Sequence, residues 1–131
     1  MIVIDASVAL AWFLEDPGPH IAALVYVGER GGVVPGNFQS ELVHGLLRAE
    51  RQKRIGAAEA AEALDALLEL SLDVDLPDPK AVMTTAREHG LSGYDASYLA
   101  LAMQAGVQLA TADAVLAKAA RRLDLLWRPV T

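Results

Sequence analysis

Apolar residues along this chain fall into two patterns: short unbroken runs, and longer stretches in which they recur every three or four positions. The first run, "IVIDA", is rich in β-branched residues and apolar up to Asp5, which predicts a strand covered on both faces. "ASVALAWFLE" then carries Val8, Leu10, Trp12 and Leu14 at spacings that suit a short helix, and "EDPGP" breaks it. "HIAALVYVGERGG" predicts a second helix stopped by glycines, and "VVP" a brief strand. Asn37 follows as an N-cap for the helix "FQSELVHGLLRAERQKR", with Glu41 near its start. Beyond Gly56, alanine-rich "AAEAAEALDALLEL" has Ala61, Leu64, Leu67 and Leu68 at helical spacing and predicts a packed helical arm.

The second half repeats the rhythm. "LDVDLPDP" alternates apolar and acidic residues, as an edge strand before a proline turn does, with Asp73, Asp75 and Asp78 exposed. "KAVMTTAREHG" and "LSGYDASYLALAMQAG" predict helices that end at glycines. "VQLAT" predicts a strand, Asp113 an N-cap for "AVLAKAARRL", and "LLWRPV" one last strand. Strands alternating with helices in this order predict the α/β class, specifically a three-layer α/β/α sandwich around a mostly parallel central sheet. The rhythm has no break or long linker, so a single domain over residues 1–131 is expected.

One position departs from the pattern. Asp95 sits inside "YDASYLALA", which otherwise reads as a buried helical stripe, and an unpartnered buried charge is costly. Ser92 lies three residues earlier, a capping-box-like spacing that places Asp95 in the first helical turn, where the helix dipole favours an anion.

Composition narrows the setting. The 131 residues are 53% hydrophobic, enough for a substantial core, and include no cysteine, so disulfides and thiolate metal sites are excluded. "MIVIDA" lacks a basic leader, and no apolar run approaches the roughly 20 residues that span a bilayer. A cytoplasmic protein without a membrane is therefore expected. The net charge of −6 argues against a nonspecific nucleic-acid coat; any bound nucleic acid would need an added cation.

In open parallel sheets ligands bind beyond the carboxyl ends of the strands, where strand order reverses. Asp5 ends the first strand, Asp113 follows "VQLAT", and Glu41 and Asp95 lie in first turns of helices that should face the same edge. Two such carboxylates at roughly 5 Å repel by about 3 kcal/mol at an effective dielectric of about 20. Either protons or a cation must relieve that repulsion, and oxygen-only ligands favour Mg²⁺ or Mn²⁺. His20, His44 and His89 have no metal-ligand spacing among themselves; Glu41 and His44 form one Glu-X-X-His pair, but a di-iron bundle needs a second copy. Trp12, Phe13 and Tyr98 read as core or dimer packing rather than base-stacking platforms. The run "RAERQKR", with Arg48, Arg51, Lys53 and Arg54, is either a solvated helix face or a phosphate-contacting surface, joined by Arg87, Arg121, Arg122 or Arg128.

The stretches "IVIDAS", "PGNFQSELVHGLL", "SGYDASYLALA" and "LATAD", in this order over nearly the whole chain, resemble the PIN-domain ribonucleases, and among them the VapC-type toxins of toxin–antitoxin pairs. The resemblance implies an Mg²⁺-dependent endoribonuclease with Asp5, Glu41, Asp95 and Asp113 as catalytic and metal-binding acids. It also implies Ser7 and Thr111 as supporting hydroxyls and products with a 5′-phosphate and a 3′-hydroxyl. Asp113 matches the most variable element of the pattern. An RNA substrate, a cognate VapB-type antitoxin and a homodimer are implied as partners. Two other readings remain at this point. One is a non-catalytic PIN-like binding module. The other is a phosphoreceiver-type signalling domain, which lacks here a middle strand ending in a phosphoacceptor aspartate and a late strand ending in lysine.

Overall fold

The computed structural model describes residues 1–14 and 17–129. Strand β1 (Ile2–Ile4) leads into helix α1 (Ala6–Leu14), a 3₁₀ turn (Gly18–His20) and helix α2 (Ile21–Arg30). Strand β2 (Gly32–Val34), helices α3 (Phe38–Arg51) and α4 (Ala57–Leu68) and strand β3 (Leu72–Val74) follow. The chain then forms α5 (Pro79–His89), α6 (Gly93–Ala105), β4 (Leu109–Ala110) and α7 (Ala114–Arg122). The break expected at "EDPGP" falls partly on Glu15 and Asp16, outside the described residues.

The sheet has the order β3-β2-β1-β4, and every pairing is parallel. β1 is therefore central, with Ile2, Val3 and Ile4 all buried, as its unbroken apolar run predicts. β3 lies at the edge, with Asp73 and Val74 exposed. The order reverses at β1: the chain first builds outward through β2 and β3, then returns to place β4 on the other side. α6 packs on β1, β4 and α5, and buries Ala96, Tyr98, Leu99, Ala100, Leu101 and Ala102. A helix apolar on nearly every side is one enclosed by the fold rather than lying on its surface. A second, smaller cluster of Leu46, Ala60 and Ala63 joins α3 to α4, so the alanine-rich segment is a packed arm.

α1 and α3 approach closely at Gly45, where a β-carbon would collide with the Leu10 side chain. α5 and α6 end at Gly90 and Gly106 in left-handed conformation, the stops that the sequence announced.

Two expectations change. The last strand expected over "LLWRPV" is reduced to one bridge between Leu126 and Leu109, with Val130 outside the described residues. β4 is only two residues long, so it offers a fifth strand almost no ladder to extend. Asn37 occupies the N-cap position of α3, but its backbone is helical and its side chain caps nothing; its amide has another partner.

Candidate active site

Asp5 and Thr111 are the first residues beyond β1 and β4, the two strands between which the sheet changes direction. The parallel register pairs Ile4 with Ala110, so the next residues of the two strands come together at the same rim. Thr111 Oγ1 donates to Asp5 Oδ2 at 2.5 Å. Asp5 Oδ1 accepts from Ser7 Oγ at 2.6 Å and from the Val8 backbone N–H at 3.1 Å. The two hydroxyls are themselves fixed from the far side: Ser7 Oγ accepts from the Ala112 N–H, and Thr111 Oγ1 from the Asp113 N–H, both at 3.0 Å. Each hydroxyl proton is thus directed at Asp5, and the carboxylate is held in one orientation.

Asp5 is only 4% exposed. Burial pushes its carboxyl up to about 6; the donors Ser7, Thr111 and Val8 oppose the rise, and the charge of Asp95 adds to it. Asp95 is half-buried in the first turn of α6, where the Ser92 side chain accepts from its backbone N–H at 3.1 Å. Its own carboxyl is raised, first by burial and then by the charges of Asp113 and Glu41. A helix N-terminus stabilises an anion by only about 0.3–1 kcal/mol at an exposed site, so here burial and like charge win over the dipole.

Glu41 reaches the same place from α3, held by both oxygens. Asn37 Nδ2 donates to Oε1 at 2.7 Å, and the Tyr98 hydroxyl donates to Oε2 at 2.8 Å. Tyr98 is buried, and its hydroxyl is pushed well above the usual phenol range by burial and then by Glu41. Asp113 has a double role: Oδ1 accepts from the Val115 and Leu116 N–H groups at 2.8 and 3.1 Å, capping α7, while its charge acts on Asp95.

Asp95 is thus the hub, coupled to Asp5, Glu41 and Asp113 in turn. Among the described residues none of these four carboxylates forms an ion pair, and every charge that shifts Asp5 or Asp95 is negative. Nor are three or more His, Asp or Glu side chains, among the described residues, gathered into a cage for a metal ion. Hard oxygen donors without a counter-charge suit a divalent cation held by one or two carboxylates and water. Mg²⁺ in particular keeps several waters and does not need a closed protein cage.

Glu41, Asp95 and Ser7 line one end of a groove of about 850 Å³ that follows α3 past His44 to Arg48 and Arg54. Of the basic run, Arg48 and Arg54 line this groove and Arg51 and Lys53 do not. Of the histidines, only His44 lines it. Trp12 is core, with its indole N–H donating to the His20 carbonyl at 2.9 Å. Sequence reasoning missed the roles of Tyr98 and Asn37. Asn37 stands four residues before Glu41, an i,i+4 pairing that the sequence does contain; Tyr98 becomes visible only once α3 and α6 face each other.

The profile of the PIN domain family matches residues 2–122. The chain is 37% identical over 113 residues to a VapC ribonuclease of Mycobacterium bovis and to ribonuclease VapC9 of Mycobacterium tuberculosis, covering 86% of this chain and 86% of each relative. Among solved structures, it is similar to PAE2754 from Pyrobaculum aerophilum, at 28% identity and TM-score 0.71, covering 90% of this chain and 78% of that one. The fold is also that of VapBC-1 from nontypeable Haemophilus influenzae, at 18% identity and TM-score 0.61, with 98% of each chain covered. The all-parallel sheet, the acids at its point of reversal and a family match over nearly the full length converge on one assignment: the chain belongs to the PIN-domain family, in its VapC branch.

Proposed function

We propose that this chain is an Mg²⁺-dependent endoribonuclease that hydrolyses RNA phosphodiester bonds as the toxin of a type II toxin–antitoxin pair, with Asp5, Glu41, Asp95 and Asp113 as its working acids. The names of its relatives, VapC ribonucleases, support the activity. The observation that carries the site assignment is Asp95, half-buried and acting on or acted on by three other carboxylates, with no positive charge among the described residues shifting it.

In this reading Asp5 and Asp95 would hold the divalent ion, Mg²⁺ or Mn²⁺, with Glu41 and Asp113 completing its surroundings. A bound divalent ion supplies charge neutralisation at the phosphate and an acidified water as nucleophile. Ser7 and Thr111 keep Asp5 aimed at the rim, and Asn37 and Tyr98 do the same for Glu41. Glu41 orients the attacking water. In-line attack at phosphorus breaks the bond to the 3′-oxygen, which takes up a proton, leaving a 3′-hydroxyl and a 5′-phosphate.

Incubating the purified protein with RNA and Mg²⁺, and mapping the ends produced, tests the reading. Cleavage lost on chelation and in both Asp5→Asn and Asp95→Asn is expected. Cleavage that persists in either variant, or in excess chelator, overturns the site assignment. A VapB-type antitoxin partner is supported by the VapC names and by the fold shared with VapBC-1; co-expression of the cognate antitoxin should relieve growth arrest by the wild type. A homodimer completes the proposal, to be read by sedimentation equilibrium. Among the described residues no helix is long and apolar enough to cross a membrane. The phosphoreceiver reading is set aside by the family match.

A further inference from the structure

Asp5 and Asp113 share a second duty at the rim of the sheet: each caps the helix that follows it. The Asp5 carbonyl accepts from the Ala9 N–H and its side chain from the Val8 N–H, which makes Asp5 the N-cap of α1. Asp113 does the same for α7. In both residues the capping bonds fall on a single side-chain oxygen, Oδ1.

An ionised carboxylate has about four acceptor positions, two on each oxygen. On Asp5 Oδ1 the Val8 N–H takes one and the Ser7 hydroxyl the other, so that oxygen is full. Oδ2 accepts only from Thr111, which leaves one position open. On Asp113 the two capping N–H groups fill Oδ1, and Oδ2 accepts from nothing among the described residues. Each of these acids can therefore give a cation one oxygen and not two. Glu41, with one bond on each oxygen, is not restricted in this way.

The two commonest hard divalent ions differ in this demand. Mg²⁺ takes about six ligands in a near-octahedral array, several of them water, and is served by single-oxygen donors; Ca²⁺ takes roughly six to eight and readily recruits both oxygens of a carboxylate. The Val8 N–H belongs to the first turn of α1, so the Ser7 hydroxyl is the one bond on Asp5 Oδ1 that a side chain supplies. That hydroxyl is itself pinned by the Ala112 N–H at 3.0 Å.

We infer that Ser7 determines which divalent ion the site prefers: by filling Asp5 Oδ1 it confines Asp5 to coordination through Oδ2 alone, and so favours Mg²⁺ over Ca²⁺. The inference rests on the metal-dependent reading above and adds a selectivity to it. Thr111 is the internal contrast. Its hydroxyl sits on the oxygen that coordinates, so its loss leaves Oδ1 filled and weakens every ion alike. Orientation of Asp5 needs both hydroxyls; the bar to two-oxygen coordination needs Ser7.

Calorimetric titration of the full chain with Mn²⁺, followed by competition with Mg²⁺ or Ca²⁺, reads the Mg²⁺-to-Ca²⁺ affinity ratio without RNA or turnover. Ser7→Ala should lower that ratio about tenfold, and Ser7→Thr should restore it. Thr111→Val should weaken both ions by a common factor of about 10–100 with the ratio kept. A proton on Asp5 competes equally with both ions, so neither a change in acidity nor a loosened side chain moves the ratio. Ser7→Cys gives the same reading should the alanine variant fold poorly, because a thiol is a weak donor and no ligand for either hard ion. A ratio unchanged in the Ser7 variants, or lowered as much by Thr111→Val, overturns the inference. Failure of the nuclease reading looks different: ion binding would then survive Asp5→Asn, and the wild type with Mg²⁺ would leave RNA uncut.

Discussion

The Tyr98 hydroxyl lies 2.8 Å from Glu41 Oε2 and joins the buried face of α6 to the carboxylate at the mouth of the groove. With Asn37 on the other oxygen, it leaves Glu41 one way to point.

Tyr98→Phe keeps the ring and removes that donor, together with the acceptor for the Ala6 backbone N–H. A hydrogen bond to a charged group contributes about 1.5–3 kcal/mol, and half-burial of Glu41 places this one at the lower end. The expected outcome is a kcat reduced on the order of tenfold with RNA affinity retained, because the fold stays intact while Glu41 loses its fixed direction. Single-turnover cleavage with saturating enzyme reads this directly; an unchanged rate would mean that the orientation of Glu41 does not matter.

Asp5 gives a pH dependence with a definite sign. Its folded carboxyl titrates at about 6 against 3.8 for an ordinary aspartate, so the folded state binds the proton more tightly than the unfolded one. Its contribution to stability, about 3 kcal/mol, is therefore present in full below pH 3.8 and is lost as pH rises through 6. Without metal, the Asp5 contribution should make wild type gain stability relative to Asp5→Asn as pH falls from 7.5 to 5. Added Mg²⁺ should stabilise wild type more at pH 7.5 than at 5, since proton and cation compete for one carboxylate. Thermal unfolding of wild type and Asp5→Asn at both values, with and without Mg²⁺, checks the sign; equal metal response at the two pH values contradicts it.

Thr111→Val keeps shape but deletes the donor to Asp5 and the acceptor for the Asp113 N–H. Loss of a partner that orients a metal ligand commonly weakens metal binding 10- to 100-fold. Calorimetric titration with Mn²⁺ should show a drop in that range, with Thr111→Ser restoring most of it. A variant that binds Mn²⁺ as the wild type does would limit Thr111 to closing the loop before α7.

Asp113 separates its two roles by substitution. Asp113→Ala removes the N-cap and should cost about 1 kcal/mol of stability, whereas Asp113→Asn keeps an oxygen that can accept from Val115 and Leu116. Both remove the charge felt by Asp95. If Asp113 helps to hold the cation, both variants weaken Mn²⁺ binding while only the alanine lowers the melting temperature. Normal binding by Asp113→Asn leaves it a cap alone.

Local signals in the sequence were sufficient for much of this site. Ser92 ahead of "YDASYLALA" announced both the start of α6 and the place of Asp95, and Asp113 read correctly as a cap. Asn37 misled because its residue type favours an N-cap, whereas here the backbone at that position is already helical and the amide turns to Glu41 four residues on. Tyr98 read as core, and it is; its second role depends on a residue 57 positions away, which no local periodicity reports. The overestimate at "LLWRPV" has the same origin, since a strand exists only as far as its neighbour can pair with it.

The bond between Thr111 and Asp5 spans 106 positions of the chain. Its two ends leave the ribosome far apart in time, and the half of the wall that holds Asp5 Oδ2 arrives only when β4 docks beside β1. A nascent chain stalled short of β4 has Asp5 with its local donors, Ser7 and the Val8 N–H, but lacks the Thr111 hydroxyl on the other oxygen. The setting of the first acid is therefore complete only once residues more than a hundred positions later have been made.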